Sequence, residues 1–455
     1  MKKLLIFLLI ILGGFMVGCN DDLQVPSNFT ISGSLASWDE VPGASYRLEF
    51  TNTETNQIAR RIVNTNSVDL NTFKLPEGDY MVKVQSMKGD KASAFTEEVS
   101  YHQDDLSAVS EISDITLTNG VYIKWMGRTY YNPETEMNMI YHSASGFEVQ
   151  FEGTSVQATL TATNHSDPNH RPYVVIVVDD DFENSRRIAL DKSTQDLILA
   201  EDLEEGEHKV TLYKSTESID SHIGVVRVST DGKFLPEVDY KARKIEVIAA
   251  SSSTGFGNLG TSSQSKSTIN SDALQAYAFL AANALNADIN IVAASGWGCK
   301  FSRWTNPMTK NMFDAYKKVD VESQIDWEPS AYVPDVVIIN LGTNDESYIS
   351  YMAQNQQQRY ALMQEFAEQY LALIDYVHGL YPDAKILILY GLMRESKIYD
   401  QTIAIYNAAK EEIDNVYLLK SEGDQAGCSA HPSAASHAQI AQSVINKIKE
   451  ITGWE

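Results

Sequence analysis

Residues 244–260 read KIEVIAASSSTGFGNLG, an apolar run that stops at three serines and a Gly-Phe-Gly. Four more such runs follow: INIVAAS (289–295), DVVIINLG (335–342), KILILYG (385–391) and NVYLLKS (415–421). The central ones are apolar almost throughout, as strands covered on both faces must be. Between the runs, apolar residues recur at intervals of three and four. Leu274, Tyr277, Ala278, Ala281 and Leu285 share one helical face, as do Met363, Phe366, Tyr370, Leu373, Val377 and Leu380. Tyr399, Ile403, Tyr406 and Ile413 form a third face, and Ala441, Val444, Ile448 and Ile451 a fourth, behind Pro432 as the opening of the last helix. Five strand–helix units predict a parallel five-stranded sheet between helical layers over residues 244–455, an α/β/α flavodoxin-like domain.

Upstream the period changes from helical to two. Residues 28–104 alternate apolar and polar, as in YRLEF (46–50) and DYMVKV (79–84), with turns at VPGAS, TETN, LPEGD and KGDK. That spacing predicts a small antiparallel sandwich. LASWDEVPGASYRLEF and LPEGDYMVKV resemble strands of a fibronectin type III module. Residues 110–243 supply many short strand candidates, among them FEVQF, SVQATLTA, YVVIVV, HKVTLY and GVVRV, and little helical periodicity. They predict a middle β-domain of jelly-roll type. Within it, NHSDPNH (164–170), with His165, Asp167 and His170, reads as a polar turn rather than a metal site, and Asp179–Asp181 as the turn ending a strand.

The 455 residues are long enough for several domains, and 43% hydrophobic with 21% charged residues is an ordinary globular balance. The start is different. MKKLLIFLLIILGGFMVGC pairs two lysines with an apolar run and small residues before Cys19. It resembles a bacterial lipoprotein signal, which implies removal of residues 1–18, lipidation at Cys19 and anchorage in the outer membrane of a Gram-negative cell, with 20–27 as a polar tether. A formal net charge of −25 argues against nucleic acid as a partner, because a phosphate backbone needs a basic footprint. No CxxC or HExxH spacing points to a metal, and no cofactor is expected.

In an open parallel sheet, ligands meet the carboxyl ends of the strands. The segments there are SSSTGFG after the first run, SGWGCKFSRW after the second, GTNDES after the third and GDQAGCSAHPS after the fifth. Loops of this composition commonly serve only to turn and to cap helices. Together, though, they place a hydroxyl, a backbone amide beside glycine, a side-chain amide and a histidine on one rim, the parts of an acyl-transfer site.

This order resembles the SGNH (GDSL-type) hydrolase superfamily, whose blocks are matched by Ser251, by Gly296 in ASGWG, by Asn344 in LGTND and by His431 in AHPS. IKWMGRTY (123–130), NALNADINIVAASGWG (283–298) and GCSAHPS (427–433) resemble carbohydrate esterase family 2, over about residues 118–455. The resemblance implies an acetyl esterase acting on xylan- or mannan-type polysaccharides or oligosaccharides. It makes Ser251 the nucleophile and His431 the general base, with an oxyanion hole from the Ser251 and Gly296 amides and Asn344. Ser252 and Ser253 keep structural roles.

Two positions depart from the family pattern. Ala249-Ala250 replace Gly-Asp before the serine, and Cys428-Ser429 stand where a triad carboxylate precedes the histidine. The expected device is therefore a Ser–His dyad with the imidazole held by a backbone carbonyl. Asp424 reads as surface charge, and His378 and His437 as structural. Trp297, Trp304 and Tyr390 are candidate sugar-stacking rings. Cys299 and Cys428, each three residues from a site residue, allow either a disulfide between the loops or two separate buried thiols. Two alternatives stay open: a glycan-binding surface lipoprotein that has lost activity, and a lipase- or thioesterase-type member of the superfamily.

Overall fold

The computed structural model describes residues 23–455 except 74, 89–90, 105–113, 116–121, 133, 237–239 and 394–397. The signal sequence and Cys19 lie outside the described residues. The chain divides into two compact units, at Asp105 and Leu106.

Unit 1 is all β. One sheet pairs Thr30–Ser32, Leu35–Ser37 and Ser67–Asp69; the other orders Ile58–Val63, Ser45–Asn52 and Gly78–Lys88, with Val99–Gln103 also on Gly78–Lys88. The alternation seen in YRLEF points Tyr46, Leu48 and Phe50 into a core with Trp38, Val82 and Val84.

In unit 2, residues 124–235 form two antiparallel sheets around a core that includes Phe147, Phe151, Leu160, Ile176 and Leu212. YVVIVV shows how this sandwich joins the parallel-sheet domain. On Tyr173–Val178, Val174 and Ile176 enter the sandwich core, while Val175 and Val177 join the core of the next domain. Tyr213 and Phe182 continue that contact onto Phe279, with ring centroids 5.2 and 5.9 Å apart. An isolated sandwich could cover only one face of such a strand, and the other needs a second layer. The two later sequence-predicted domains therefore make one compact unit.

The five runs become parallel strands β1 (Arg243–Ala249), β2 (Ala287–Ala293), β3 (Val336–Asn340), β4 (Lys385–Tyr390) and β5 (Val416–Lys420), in the order β2-β1-β3-β4-β5. The helices are α1 (Tyr277–Ala284), the short α2 (Met312–Ala315), α3 (Thr343–Met352), α4 (Gln356–Leu380), α5 (Tyr399–Glu412) and α6 (Ala434–Thr452). Four details differ from expectation. The buried face of α5 is Thr402, Ile405 and Ala409, not Tyr399, Ile403 and Tyr406, and Ile413 lies past the helix end. The face from Leu274 to Leu285 is split, because Ala273–Gln275 is a 3-10 turn and only eight residues are α-helical. GTNDES is the start of α3 rather than a loop, so Asn344 and Asp345 sit in a helix's first turn. Pro432 lies just outside α6, which is capped by the Ser433 hydroxyl accepting the Ser436 N–H.

Candidate active site

The strand order reverses at β1, which has β2 on one side and β3 on the other, and open parallel sheets take ligands at the carboxyl ends of the strands at such a switch point. Ser251 follows β1 directly. Ala250 before it is extended, at φ −128° and ψ −150°, a conformation open to any residue, so the missing Gly-Asp costs no backbone freedom here. The chain then turns through a 3-10 segment, Ser251–Thr254, closed by Gly255 in the left-handed region. Within it the hydroxyls separate. Ser253 Oγ lies 2.7 Å from the buried Tyr277 hydroxyl, Thr254 Oγ1 donates to the Ser251 carbonyl at 2.9 Å, and Ser251 Oγ lies 2.7 Å from His431 Nε2.

His431 arrives on a loop with unusual backbone. Ser429 and Ala430 both have positive φ, 52° and 60°, which costs L-residues about 1–2 kcal/mol each. The strain is held from both sides: the Cys428 N–H donates to the Gly257 carbonyl at 2.9 Å, and the Ala434 N–H to the Asn258 carbonyl at 2.9 Å. Asp424 braces the same loop by accepting the Ser433 and Ala426 amides at 2.9 and 3.0 Å, so this exposed residue has a structural task beyond surface charge. The result is that the Cys428 carbonyl faces His431 Nδ1 at 3.2 Å, where a triad carboxylate would otherwise be. Phe256 covers the imidazole, its ring stacked at 4.1 Å and 27°. Burial holds His431 below the ordinary imidazole range, against the carbonyls of Cys428 and Ser429 and the charge of Glu217. Burial thus favours the neutral imidazole, and a proton on Nδ1 directed at the carbonyl leaves Nε2 to accept from Ser251.

Gly296 follows β2 at φ 82°, and a Cβ there would lie 3.1 Å from Trp304 Cβ, so the position favours glycine twice over. Asn344 Nδ2 donates to the Trp297 carbonyl at 2.9 Å; a primary amide has a second N–H to offer. Beneath this loop, buried Asp345 accepts the amides of Cys299, Lys300 and Phe301, each at 2.8 Å. Burial pushes the Asp345 carboxyl up to about 6, against those amides. Glu217, from the β-sandwich, accepts the Ser295 N–H at 2.9 Å.

The structure thus brings Ser251, Gly296, Asn344 and His431 to one rim. It does not bring the cysteines together as a pair: both are free and buried. Cys428 packs on Gly257, where an added Cβ would fall 2.2 Å from its own Cβ, whereas Cys299 sits in the apolar core with Met312 and Tyr316. Burial raises both thiols, so each stays protonated. Trp297 is likewise corrected, since at 5% exposure its ring belongs to that core. Trp304 is 64% exposed, and the Arg303 guanidinium lies 4.4 Å from the Trp304 and Tyr351 rings. Tyr390 is half-buried and lines a small cleft with Ser252, Thr343, Met393 and Thr402. His437 is buried beside Tyr277, whose N–H donates to its Nδ1 at 3.3 Å, a structural role. His170 pairs with Asp167 at 2.8 Å on an exposed turn, and among the described residues no cluster of metal-ligating side chains is present. Sequence reasoning missed Phe256 and Asp345, although both stand inside recognised motifs, GFG and GTND. It also missed Glu217, which carries no local signal.

Comparisons with known proteins now bear on this geometry. The carbohydrate esterase 2 N-terminal family profile matches residues 125–237, the sandwich of unit 2. Over these residues the chain is similar to carbohydrate esterase family 2. A cellulase/esterase, CelE, from Acetivibrio thermocellus is 30% identical over 323 residues, 69% of this chain; the chain spans only 37% of that relative's length. An acetylxylan esterase / glucomannan deacetylase from Cellvibrio japonicus is 23% identical, over 73% of this chain and 90% of its own. A family two carbohydrate esterase from Clostridium thermocellum, solved in complex with cellohexaose, superposes with TM-score 0.64 at 28% identity, covering 73% of this chain and 100% of its own. These esterase relatives account for an architecture of β-sandwich plus parallel-sheet domain.

Proposed function

We propose that the protein is a serine esterase that removes O-acetyl groups from xylan- or mannan-type polysaccharides or oligosaccharides. The observation that carries the reading is the relay from the Cys428 carbonyl through His431 to Ser251 Oγ, at 3.2 and 2.7 Å. Ser251 Oγ attacks the acetyl carbonyl carbon while His431 Nε2 takes its proton. The tetrahedral oxyanion is met by the Ser251 and Gly296 amides, neither of which donates to a loop or turn carbonyl among the described residues, and by the free N–H of Asn344. As the intermediate collapses, the bond from the acetyl carbon to the sugar oxygen breaks, and His431 Nε2 gives that oxygen its proton, releasing the sugar hydroxyl and leaving an acetyl-enzyme. Water, deprotonated by His431, attacks that ester, acetate leaves and Ser251 recovers its proton. The Cys428 carbonyl fixes the tautomer, as a triad acid does, but without a full charge.

The exposed Trp304 ring beside Gly296 offers an apolar face for a sugar, with half-buried Tyr390, which shares a small cleft with Ser252, as a second candidate. The N-terminal sequence supports a lipid anchor at Cys19 on the outer membrane of a Gram-negative bacterium. Unit 1 reads as a fibronectin type III-like spacer. The intact dyad geometry favours an enzyme over a site kept only for binding.

Acetate release from acetylated xylan and glucomannan, compared with p-nitrophenyl acetate and long-chain esters, tests the proposal. Turnover of acetylated glycans that disappears in Ser251→Ala is expected. Preference for long-chain esters, or glycan binding without turnover, would overturn it.

A further inference from the structure

The sandwich reaches the reaction rim through a buried carboxylate. Glu217 leaves the end of strand Gly206–Lys214, is 3% exposed, and directs Oε2 at the Ser295 N–H, 2.9 Å away. Ser295 is the residue before Gly296. The other carboxylate oxygen lies 3.0 Å from Lys266 Nζ, which also pairs with buried Asp220. Lys266 in turn stands 5.7 Å from the centroid of Phe256, the ring stacked on His431. One carboxylate therefore holds the loop of the oxyanion glycine and, through its ion pair, borders the ring that covers the base.

The segment bearing Glu217 is itself pinned. Fully buried Lys214 donates to the Thr216 and Glu217 carbonyls at 2.7 and 2.9 Å, and the Ala273 N–H donates to the Ser215 carbonyl at 2.9 Å. Such a carboxylate costs several kcal/mol to desolvate, and packing alone would be served as well by an apolar side chain of the same size. What an apolar chain cannot do is accept one chosen amide.

We propose that Glu217 is a positioning residue of the esterase site, fixing the Gly296 amide for the oxyanion from the sandwich side and placing a negative charge near His431. This rests on the reading of Ser251 and His431 as nucleophile and base. The charge matters because His431 becomes an imidazolium in the transition state, and its dyad partner, a carbonyl, supplies only a dipole. The Glu217 charge favours that protonated form.

The test compares the full chain with Glu217→Gln, in which Lys266 keeps Asp220 as its partner, and, should that variant fail to fold, with the double variant Glu217→Gln/Lys266→Met, which removes the Glu217–Lys266 pair as a unit and leaves Lys214 as the charged neighbour of Asp220. Two readouts apply: kcat and KM on p-nitrophenyl acetate, and the rate of Ser251 labelling by a fluorophosphonate. A displaced catalytic group costs up to about 100-fold. The expected result is therefore kcat and labelling rate down by about 10- to 100-fold with KM within about twofold, and no recovery in the double variant. A folded variant of either kind that keeps kcat within about twofold overturns the proposal. Wild-type protein that turns over p-nitrophenyl acetate but no acetylated glycan overturns only the substrate reading; wild-type protein that never labels at Ser251 overturns both.

Discussion

Two buried polar assemblies in unit 2 follow opposite rules. At the rim, His431 is held by a carbonyl, a hydroxyl and a phenyl ring, all neutral. At the junction between sandwich and parallel sheet, charge is buried outright. Arg128 and Glu246, both fully buried, face each other at 3.3 Å; Glu246 also accepts from Asn290 at 2.6 Å and Tyr316 at 2.5 Å, and Arg128 donates to the Lys318 carbonyl at 2.7 Å. A permanent charge out of water needs a permanent partner. At the rim only the groups touching His431 are neutral, and the buried Glu217–Lys266 pair stands beyond the Phe256 ring, so that contrast between contact charge and distant charge separates scaffold from site.

Breaking either assembly should therefore give different signatures. The largest effect is expected at the rim, where Ser251→Ala or His431→Ala should each lower kcat by about 10⁴-fold or more, and the double variant little further, because the pair acts as a unit. Acetate release with unchanged circular dichroism checks this; additive losses would mean that the two side chains do not work together. Asn344→Ala should cost about 10²- to 10³-fold in kcat, as loss of one oxyanion donor does, with KM nearly constant. A pure KM effect would instead make Asn344 a ground-state binding residue.

At the junction the loss should appear as stability. Arg128→Met leaves Glu246 buried without its cation and should destabilise by about 3–5 kcal/mol in denaturant unfolding, with kcat of the folded fraction preserved. If unfolding is unchanged, the pair is not the brace its burial suggests.

The smallest effects come from protons. Because burial lowers His431, the acid limb of kcat/KM should have its midpoint below about 6.5, the free imidazole value. His142 and His437 are each pushed down to about 4 by burial. Between that value and about 6.5 the unfolded chain binds protons that the folded chain does not. Stability contributed by these neutral histidines is thus complete above about 6.5 and lost as pH falls toward 4, which thermal melts across that window would reveal as a falling Tm.

Much of this was legible in the sequence because it is local. Apolar runs fix the strands of the parallel sheet, and the residue types after each run fix the chemistry available at the rim. The helix faces of α4 and α6 were equally readable, whereas α5 buries Thr402, Ile405 and Ala409 and leaves Tyr399, Ile403 and Tyr406 only partly covered. Where local reading failed, a distant partner decided. YVVIVV looks like any buried strand, yet its second face belongs to another domain. Trp297 is an aromatic in a candidate sugar loop, yet the core claims it. Cys299 and Cys428 flank the site at equal sequence distance but pack in separate surroundings.

By itself, then, the sequence determined a parallel-sheet domain following β-rich segments, and a serine, glycine, asparagine and histidine after its first, second, third and fifth strands. Only the tertiary structure decided what orients the histidine and what braces the loop of Gly296. The first is a carbonyl, which every residue possesses and which no letter of the sequence marks. It faces His431 because Ser429 and Ala430 are held in left-handed turns by contacts to the nucleophile loop. The second is Glu217, a carboxylate from another domain, brought to Ser295 by the packing of two sheets and not by any local pattern.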